Sequence, residues 1–249
     1  MTQPSGAPIW IDLATSDLDR AQDFYGTVFG WTFDAAGPEY GGYVTATMDG
    51  QVVAGLMTND PQWNSPDGWT TYLHTTDIED TLQKISAAGG QSCSGAMEIP
   101  ATGTMAIFND AAGAMTGLWQ PGGHDGFAVT GSAGAPAWFH LATADYALAL
   151  EFYTAVFGWD THVEADTPDF RYTNAIFDGE PLLGVMDGAA LGGTSTWTVF
   201  LAAEDVDKTL TVITDNGGTV VRGAEDTPYG RLAAVTDATG AAFNLTSVQ

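Results

Sequence analysis

The chain has 249 residues, of which 45% are hydrophobic, enough for one large core or two ordinary ones. It carries 31 acidic and 6 basic side chains, so its formal net charge is −25. A field of this sign repels phosphate groups, and we therefore expect neither nucleic acid nor an anionic membrane as a partner. The single cysteine, Cys93, excludes an intramolecular disulfide and a cysteine-based zinc site, and we expect it to be buried.

Targeting signals are not evident in the sequence. No apolar run approaches the roughly 18 residues that a membrane-spanning helix needs. The first residues, MTQPSGAP, lack the basic and apolar regions of a signal peptide. We therefore expect a soluble, cytoplasmic protein.

The N-terminal pattern predicts a strand followed by a helix. Alternation over residues 9–15 predicts a half-buried strand with Trp10 and Asp12 on the same face. Ser16 is the expected N-cap of the helix, because acidic residues and a run at helical spacing follow it. Gly30 is the expected end of this helix.

Further along, two apolar runs flank Asp49-Gly50, which is the strongest short signal for a β-hairpin. After a turn-rich segment, the order of strand, helix and strands begins again. The expected elements are a strand over 69–76, a helix over 77–88, and strands near Met97, over 104–108 and over 114–120. This gives two β-α-β-β-β units.

The whole pattern occurs twice. The stretch from Trp10 to Trp31 recurs from Trp138 to Trp159, which indicates a duplicated domain rather than a short-period repeat. We call residues 1–120 the first copy and residues 136–249 the second copy, with a glycine-rich linker over 121–135. Four aromatic residues at helical spacing are predicted to lie in the core: Phe24, Tyr25, Phe152 and Tyr153.

These motifs carry a resemblance to a known family. They are Ser-Asp-Leu-Asp-Arg-Ala after the first strand, Phe-Tyr within the helix, Phe-Gly-Trp at its end, the Asp-Gly hairpin and the Asp-Ala-x-Gly-Ala turn before the last strand. Together they resemble the vicinal oxygen chelate superfamily of glyoxalases, bleomycin-resistance proteins and extradiol dioxygenases. Tandem two-domain members from actinobacteria, of a hydroxylase or secreted-antigen type and known in anthracycline pathways, are similar in size and layout.

The resemblance implies an α+β fold. Four β-α-β-β-β units would form two tandem vicinal-oxygen-chelate domains, each with curved sheets around a cleft. It also implies four positions per domain for metal ligands, two on first strands and two on last strands. In this chain those positions fall on Trp10, Thr70, Gly55 and Gly117, and on Trp138, Thr198, Gly184 and Asn244. These residues are poor or impossible ligands, so we expect no metal and no other cofactor.

Two residues are candidates for acid–base chemistry. His140 takes the place in the second copy that Asp12 takes in the first, and either could accept a proton in a metal-independent reaction. The alternative is that such a histidine is a partly buried residue hydrogen-bonded to the backbone or a tyrosine. His124 and His162 are expected at the surface.

The remaining residues on the predicted cleft faces are mostly aromatic, which suits a flat organic ligand. The alternative is that the tryptophans fill the space of a lost metal or pack between domains. The candidates for ligand binding are Trp10, Tyr72, His74, Trp119, Trp138, Phe200 and Asn244.

The leading functional hypothesis is a metal-free binding protein. It would bind or sequester a flat, hydrophobic, neutral or cationic metabolite or antibiotic, as resistance proteins of the bleomycin type do. The alternative is a metal-independent lyase, isomerase or hydroxylase-type tailoring enzyme that uses Asp12 or His140. A purely structural role stays open, and the chain is expected to be a monomer or a homodimer.

Overall fold

The computed structural model of the chain describes residues 3–37, 40–189 and 192–248. These residues contain four α-helices, which confirm the predicted ones: α1 (Leu18–Phe29), α2 (Ile78–Ala87), α3 (Tyr146–Phe157) and α4 (Val206–Asp215). Within the described ranges, each of these helices is too short or too polar to cross a membrane.

The first copy forms one mixed sheet. Its strands are β1 (Pro8–Thr15), β2 (Thr32–Ala35), β3 (Val44–Met48), β4 (Gln51–Thr58), β5 (Gly68–His74), β6 (Gln91–Ser92), β7 (Met97–Ile99), β8 (Gly103–Asn109) and β9 (Met115–Pro121). The order across the sheet is β2-β3-β4-β1-β5-β9-β8-β6, and β7 pairs with β8. The predicted turn at Asp49-Gly50 connects β3 to β4, and both residues have positive φ, as such a turn requires.

The second copy forms a sheet with the same order. Its strands are β10 (Pro136–Thr143), β11 (Asp160–Asp166), β12 (Arg171–Phe177), β13 (Glu180–Asp187), β14 (Thr196–Ala203), β15 (Thr219–Thr227), β16 (Gly230–Thr236) and β17 (Ala242–Ser247). They are arranged as β11-β12-β13-β10-β14-β17-β16-β15. The α+β fold with four β-α-β-β-β units is thereby confirmed.

Compact units of the structure cut across the two copies. The first compact unit consists of Met1–Trp10, Thr71–Gly126 and Phe139–Trp197, and the second consists of Ile11–Thr70, Phe127–Trp138 and Thr198–Gln249. Helix α2 packs against α3 in the first unit, and α1 packs against α4 in the second. Each unit therefore combines one β-α-β-β-β unit from each copy, whereas the predicted boundaries at 120 and 136 separate the copies along the sequence.

A buried tyrosine stands at the centre of the first compact unit. Tyr153 on α3 is fully buried, and its hydroxyl donates to Oδ2 of Asp110 at 3.0 Å. The other carboxylate oxygen accepts the backbone N–H groups of Ala112 and Ala114 at 2.9 and 2.8 Å. Burial, followed by the charge of Asp110, raises the pKa of Tyr153 well above its usual value, so the phenol stays protonated and donates.

The second compact unit repeats this arrangement. The hydroxyl of Tyr25 on α1 donates to Oδ2 of Asp237 at 3.0 Å and accepts Nε1–H of Trp69 at 3.1 Å. Oδ1 of Asp237 accepts the backbone N–H groups of Thr239 and Ala241 at 2.8 and 3.0 Å. In both units a helix from one copy is thus tied to the last turn of the other copy.

Three local expectations need correction. The N-cap of α1 is Asp17 rather than Ser16, because Asp17 accepts the N–H of Arg20 at 3.1 Å while the N–H and hydroxyl of Ser16 both donate to Asp67. Cys93 is exposed rather than buried, because it directly follows the two-residue strand at the sheet edge. Strands β2 and β11 could not be located in the sequence, since most of their residues are exposed and polar.

Removing the Tyr153 hydroxyl should destabilise the fold. Tyr153→Phe leaves one oxygen of the buried Asp110 carboxylate without its donor, and we expect a loss of about 1–3 kcal/mol in the free energy of unfolding. Urea unfolding measures it, with Tyr229→Phe as the control because Tyr229 is half exposed. An equal effect of both substitutions would contradict the role of the buried hydrogen bond.

The buried carboxylate of Asp110 should also make the stability of the fold depend on pH. Burial raises the pKa of Asp110 above its usual 3.8, although hydrogen bonds from Ala114 and Tyr153 oppose this rise. The folded chain therefore holds this proton more tightly than the unfolded chain, and its stability falls as the pH rises above about 3.8. Because Asp110→Asn lacks this titration, the unfolding free energy of wild type minus that of the variant should decline from pH 4 towards neutrality. A flat or rising difference would show that the direction is wrong.

Candidate functional site

The candidate acid–base residues and the predicted ligand positions lie where the first and last strands of each unit run side by side. These strands are parallel neighbours, and each last-strand position faces a first-strand residue in register. The pairs are Asp12 with Gly55, Tyr72 with Gly117, His140 with Gly184, and Phe200 with Asn244.

Tyrosine side chains occupy the space next to three of these positions. A Cβ atom built on Gly55 would overlap the hydroxyl of Tyr43, and one built on Gly184 would overlap the hydroxyl of Tyr172. At Gly117 the overlap would be with the ring of Tyr72. Glycine is thus required at these three positions because a tyrosine side chain approaches the backbone closely. The tyrosine fills the space that a longer side chain would need.

This donor set does not fit a divalent metal. Tryptophan, threonine and glycine stand at seven of the eight positions that the resemblance assigns to ligands, and Asn244 at the eighth supplies one amide oxygen alone. The glycine positions have no room for a glutamate. Over residues 3–37, 40–189 and 192–248, no three His, Cys, Asp or Glu side chains cluster as a metal site would need. We therefore derive no chemical step through a metal.

Asp12, one of the two predicted acid–base residues, lies in the second compact unit and is nearly buried, with 6% of its surface exposed. The hydroxyl of Tyr43 donates to its Oδ1 at 2.5 Å, a short hydrogen bond. The phenol and the carboxylate thus bind each other directly above Gly55.

His140, the other predicted acid–base residue, lies in the first compact unit and is half-buried. Its ring meets that of Tyr172 edge to face, with centroids 5.4 Å apart, and the ring of Phe170 stacks with that of Tyr172 at a centroid distance of 5.8 Å. Thr173 bonds to Tyr146 of α3, so its neighbour Tyr172 points to the face of the sheet away from this helix. His140 and Tyr172 therefore correspond to Asp12 and Tyr43 of the first copy.

His124 of the linker packs against two of the predicted aromatic residues in the first compact unit. The ring of His124 packs edge to face on Trp10 at 4.3 Å and on Trp119 at 5.6 Å, and Nε1–H of Trp119 donates to the carbonyl of His124 at 2.9 Å. The prediction that His124 lies at the surface is therefore wrong, whereas His162 is exposed as expected. Burial lowers the pKa of His124, although Asp125 opposes the shift.

The other predicted binding residues differ in their access to solvent. Tyr72 and His74 are only 2% and 4% exposed, and Nδ1 of His74 lies 3.2 Å from the carbonyl of Pro4. Burial lowers the pKa of His74, and the contact with Pro4 opposes this shift. In the second copy, Phe200 is buried opposite a half-buried Asn244, and Trp138 is half-buried on the same strand face as His140.

Tyr43, Tyr172 and Asn174 were missed by the sequence reasoning. A signal for the two tyrosines was available, because a tyrosine stands at the same place before the Asp-Gly turn in both copies, whereas Asn174 has no asparagine counterpart in the first copy. The pairing of that tyrosine with a glycine on the next strand depends on register, which the sequence does not state.

The model of the Glyoxalase/Bleomycin resistance protein/Dioxygenase superfamily matches residues 8–118 and again residues 135–245. The chain belongs to this superfamily. It carries the superfamily domain twice in tandem.

Relatives of similar length are known. The chain is 32% identical over 261 residues to Anthracycline biosynthesis protein DnrV of Streptomyces peucetius, a match that covers 98% of this chain and 94% of DnrV. It is 33% identical over 248 residues to CFP32 of Mycobacterium tuberculosis, covering 96% of this chain and 94% of CFP32.

Solved structures share the fold. The Mn(II)-bound glyoxalase from Novosphingobium aromaticivorans superposes with a TM-score of 0.68 at 15% identity, over 99% of this chain and 84% of that protein. The 2,3-dioxygenase LapB from Pseudomonas sp. KL28 gives 0.67 at 13% identity, over 98% and 93%. At these identities the likeness concerns the superfamily fold alone.

Restoring a side chain at a tyrosine-covered glycine should be costly. Gly184→Ala forces a methyl group into the Tyr172 hydroxyl, and we expect a loss of about 1–3 kcal/mol in unfolding free energy. In a Tyr172→Ala background the same substitution should cost much less, because the clash is gone. The control is Gly223→Ala, where a Cβ meets no atom within 4 Å. Chemical unfolding of wild type, the two single variants, the double variant and the control measures this, and equal costs in both backgrounds would refute the contact.

Proposed function

We propose that the chain binds a flat, hydrophobic small molecule without a divalent metal. The observation that carries this proposal is the set of tyrosine-filled glycines. Tyr43 and Tyr172 lie over Gly55 and Gly184, where the superfamily would place metal-binding glutamates. A superfamily domain that loses its metal ligands keeps a sheet face of aromatic and polar side chains, which is suited to holding an organic ring.

The second copy supports this role better than the first. Trp138, His140 and Tyr172 are half-buried, and Phe170 is 44% exposed. In the first copy the corresponding Trp10 is only 3% exposed. Aromatic side chains that keep part of their surface accessible offer stacking worth about 0.5–1.5 kcal/mol per ring pair.

The chemical class of the ligand is inferred from the net charge of the chain and from the names of its relatives. With a formal charge of −25, the chain attracts cationic ligands, repels anionic ones and does not discriminate against neutral ones. DnrV, and DauV of Streptomyces sp. at 32% identity, are both named as anthracycline biosynthesis proteins. Anthracyclines are planar polycyclic aromatic compounds, so a ligand of this kind fits both arguments. In this proposal the chain acts away from nucleic acids and membranes, as a monomer or homodimer.

The second candidate function is a metal-independent lyase, isomerase or hydroxylase-type tailoring enzyme. The observation that favours it is the pairing of Tyr43 with Asp12 at 2.5 Å, together with the contact of Tyr172 and His140. A carboxylate or imidazole beside a phenol has the parts for general acid–base catalysis next to a carbonyl group.

Metal content and ligand binding test the proposal together. Protein purified from cells should contain far less than one equivalent of any divalent metal by elemental analysis, with or without added metal. Titration with an anthracycline and with its aglycone should quench tryptophan fluorescence saturably, and a chelator should leave the affinity unchanged. One tightly held metal per domain, or binding that the chelator abolishes, would overturn the proposal.

Variants of the acid–base residues separate the two candidate functions. His140→Ala and Asp12→Ala should leave metal content unchanged, and His140→Ala should weaken binding because one wall of the site is lost. A reaction of the bound compound that disappears in either variant, while binding is retained, would favour the enzyme. Product analysis by mass spectrometry gives the readout.

A further inference from the structure

A pocket lies where the end of α1 meets the start of α4. It has a volume of about 530 Å³, which is within the usual range for small-molecule sites. Its walls are Val28 and Phe29 of α1, Ala133 and Gly134 of the linker, the end of β14 and the first residues of α4. All of these belong to the second compact unit, and we call this space the α1–α4 pocket. The sheet-face residues of the proposed function do not line it.

The backbone around this pocket has a counterpart in the first compact unit. The N–H of Gly134 donates to the carbonyl of Ala202 at 2.8 Å, and the N–H of Gly6 donates to the carbonyl of His74 at the same distance of 2.8 Å. The ends of β14 and β5 are therefore held in the same way. Differences between the two units at this place arise from their side chains.

Two alanines leave space in the α1–α4 pocket. Ala202 and Ala203 line it, and the corresponding residues of the first copy are His74 and Thr75. Nδ1 of His74 lies 3.2 Å from a backbone carbonyl, and the hydroxyl of Thr75 is hydrogen-bonded to that of Thr81 at 2.7 Å. The second copy thus has two methyl groups where the first has an imidazole and a hydroxyl group with bonding partners.

The rim of the pocket carries a carboxylate without a cation. Glu204 is exposed, and among the residues that the structure describes no basic side chain forms an ion pair with it. Lys208 also lines the pocket, but its ammonium group is bound to Asp205 at 3.0 Å. The first copy has Thr76 at the place of Glu204, so this charge is particular to the second copy.

The end of α1 adds negative partial charge to the pocket. The last carbonyl groups of a helix lack intrahelical donors, and this end of a helix therefore attracts cations. Val28 and Phe29 belong to the last turn of α1, and this turn contains no basic residue. The opposite partial charge at the start of α4 is offset, because Asp205 caps that helix and Asp207 lies in its first turn.

We propose that the α1–α4 pocket binds a small primary amine in its protonated form. The ammonium group pairs with Glu204, and an apolar ring or chain packs against Val28 and Phe29. The net charge of −25 attracts a ligand of this kind. This site is separate from the sheet-face residues of the proposed function and does not rest on that function.

Two probes with the same ring isolate the charge. 2-Phenylethylamine is an ammonium ion at neutral pH, and 2-phenylethanol is neutral. In about 0.1 M salt, wild type should bind the amine about fivefold more tightly, the ratio expected for one partly exposed ion pair. The ratio should fall at higher salt, because ions screen the attraction. Ligand-observed NMR titrations measure both affinities.

Two matched variants separate the local carboxylate from the net charge of the chain. Glu204→Gln and Asp215→Asn change the net charge equally. Asp215 ends α4, about 15 Å from its start, which exceeds the screening length of about 10 Å at this salt concentration. Glu204→Gln should reduce the ratio to below about twofold, whereas Asp215→Asn should keep it. A ratio of about one in wild type, or an equal loss in both variants, would overturn the proposal.

A second test fills the pocket with the side chains of the first copy. Ala202→His combined with Ala203→Thr should abolish binding of both probes while the chain stays folded, because the first compact unit holds the same pair on an equivalent backbone. Thermal unfolding checks the fold. A folded double variant that binds the amine as wild type does would show that the site lies elsewhere. If this variant fails to fold, the comparison of Glu204→Gln with Asp215→Asn still tests the site.

Competition shows whether the amine uses the sheet face instead. An anthracycline aglycone, which the proposed function places on that face, should leave the affinity for 2-phenylethylamine unchanged. Displacement of the amine by the aglycone would assign both compounds to one site. The inference of a separate pocket would then be wrong, while the proposed function would stand.

Discussion

A buried hydrogen bond between a tyrosine and an aspartate is the interaction on which each compact unit depends. Tyr153 bonds to Asp110, and Tyr25 bonds to Asp237, in each case with a phenol that burial keeps protonated. The same carboxylates hold the backbone of the turn before a last strand. Since a buried carboxylate is tolerated only when it is hydrogen-bonded, the helix and the turn must be placed together.

The second constraint is the close approach of a tyrosine to a glycine on the neighbouring strand. At Gly55 and Gly184, which the sequence resemblance assigns to metal ligands, the tyrosine fills the space that a longer side chain would need. The sheet face at these glycines carries a phenol beside a carboxylate in one copy and a phenol beside an imidazole in the other. The superfamily fold is retained, and the groups on this face are suited to hydrogen bonding and stacking.

Much of the fold was predictable because alternation and helical spacing are local properties. The strand from Pro8, the helix that ends at Gly30 and the Asp49-Gly50 turn follow from residue order alone. The candidate site was less predictable, since it depends on distant contacts. Nothing near His124 indicates that its ring covers Trp10.

The pairing of the β-α-β-β-β units was the other feature that the sequence alone could not predict. Both copies have the same pattern, so each β-α-β-β-β unit had more than one equivalent partner. The structure pairs units across the copies, through α2 with α3 and α1 with α4. The partner of each unit is determined by the packing of complementary surfaces, and the spacing of apolar residues along the chain does not specify these surfaces.

Because each compact unit contains segments of both copies, the gene is limited in how it can change. A duplicated domain is ordinarily free to be lost, shortened or exchanged for another module, because each copy folds by itself. Here each core is completed by residues from both halves of the chain, as Tyr153 and Asp110 illustrate. The two halves are therefore needed together, since the loss of either one would remove part of both cores.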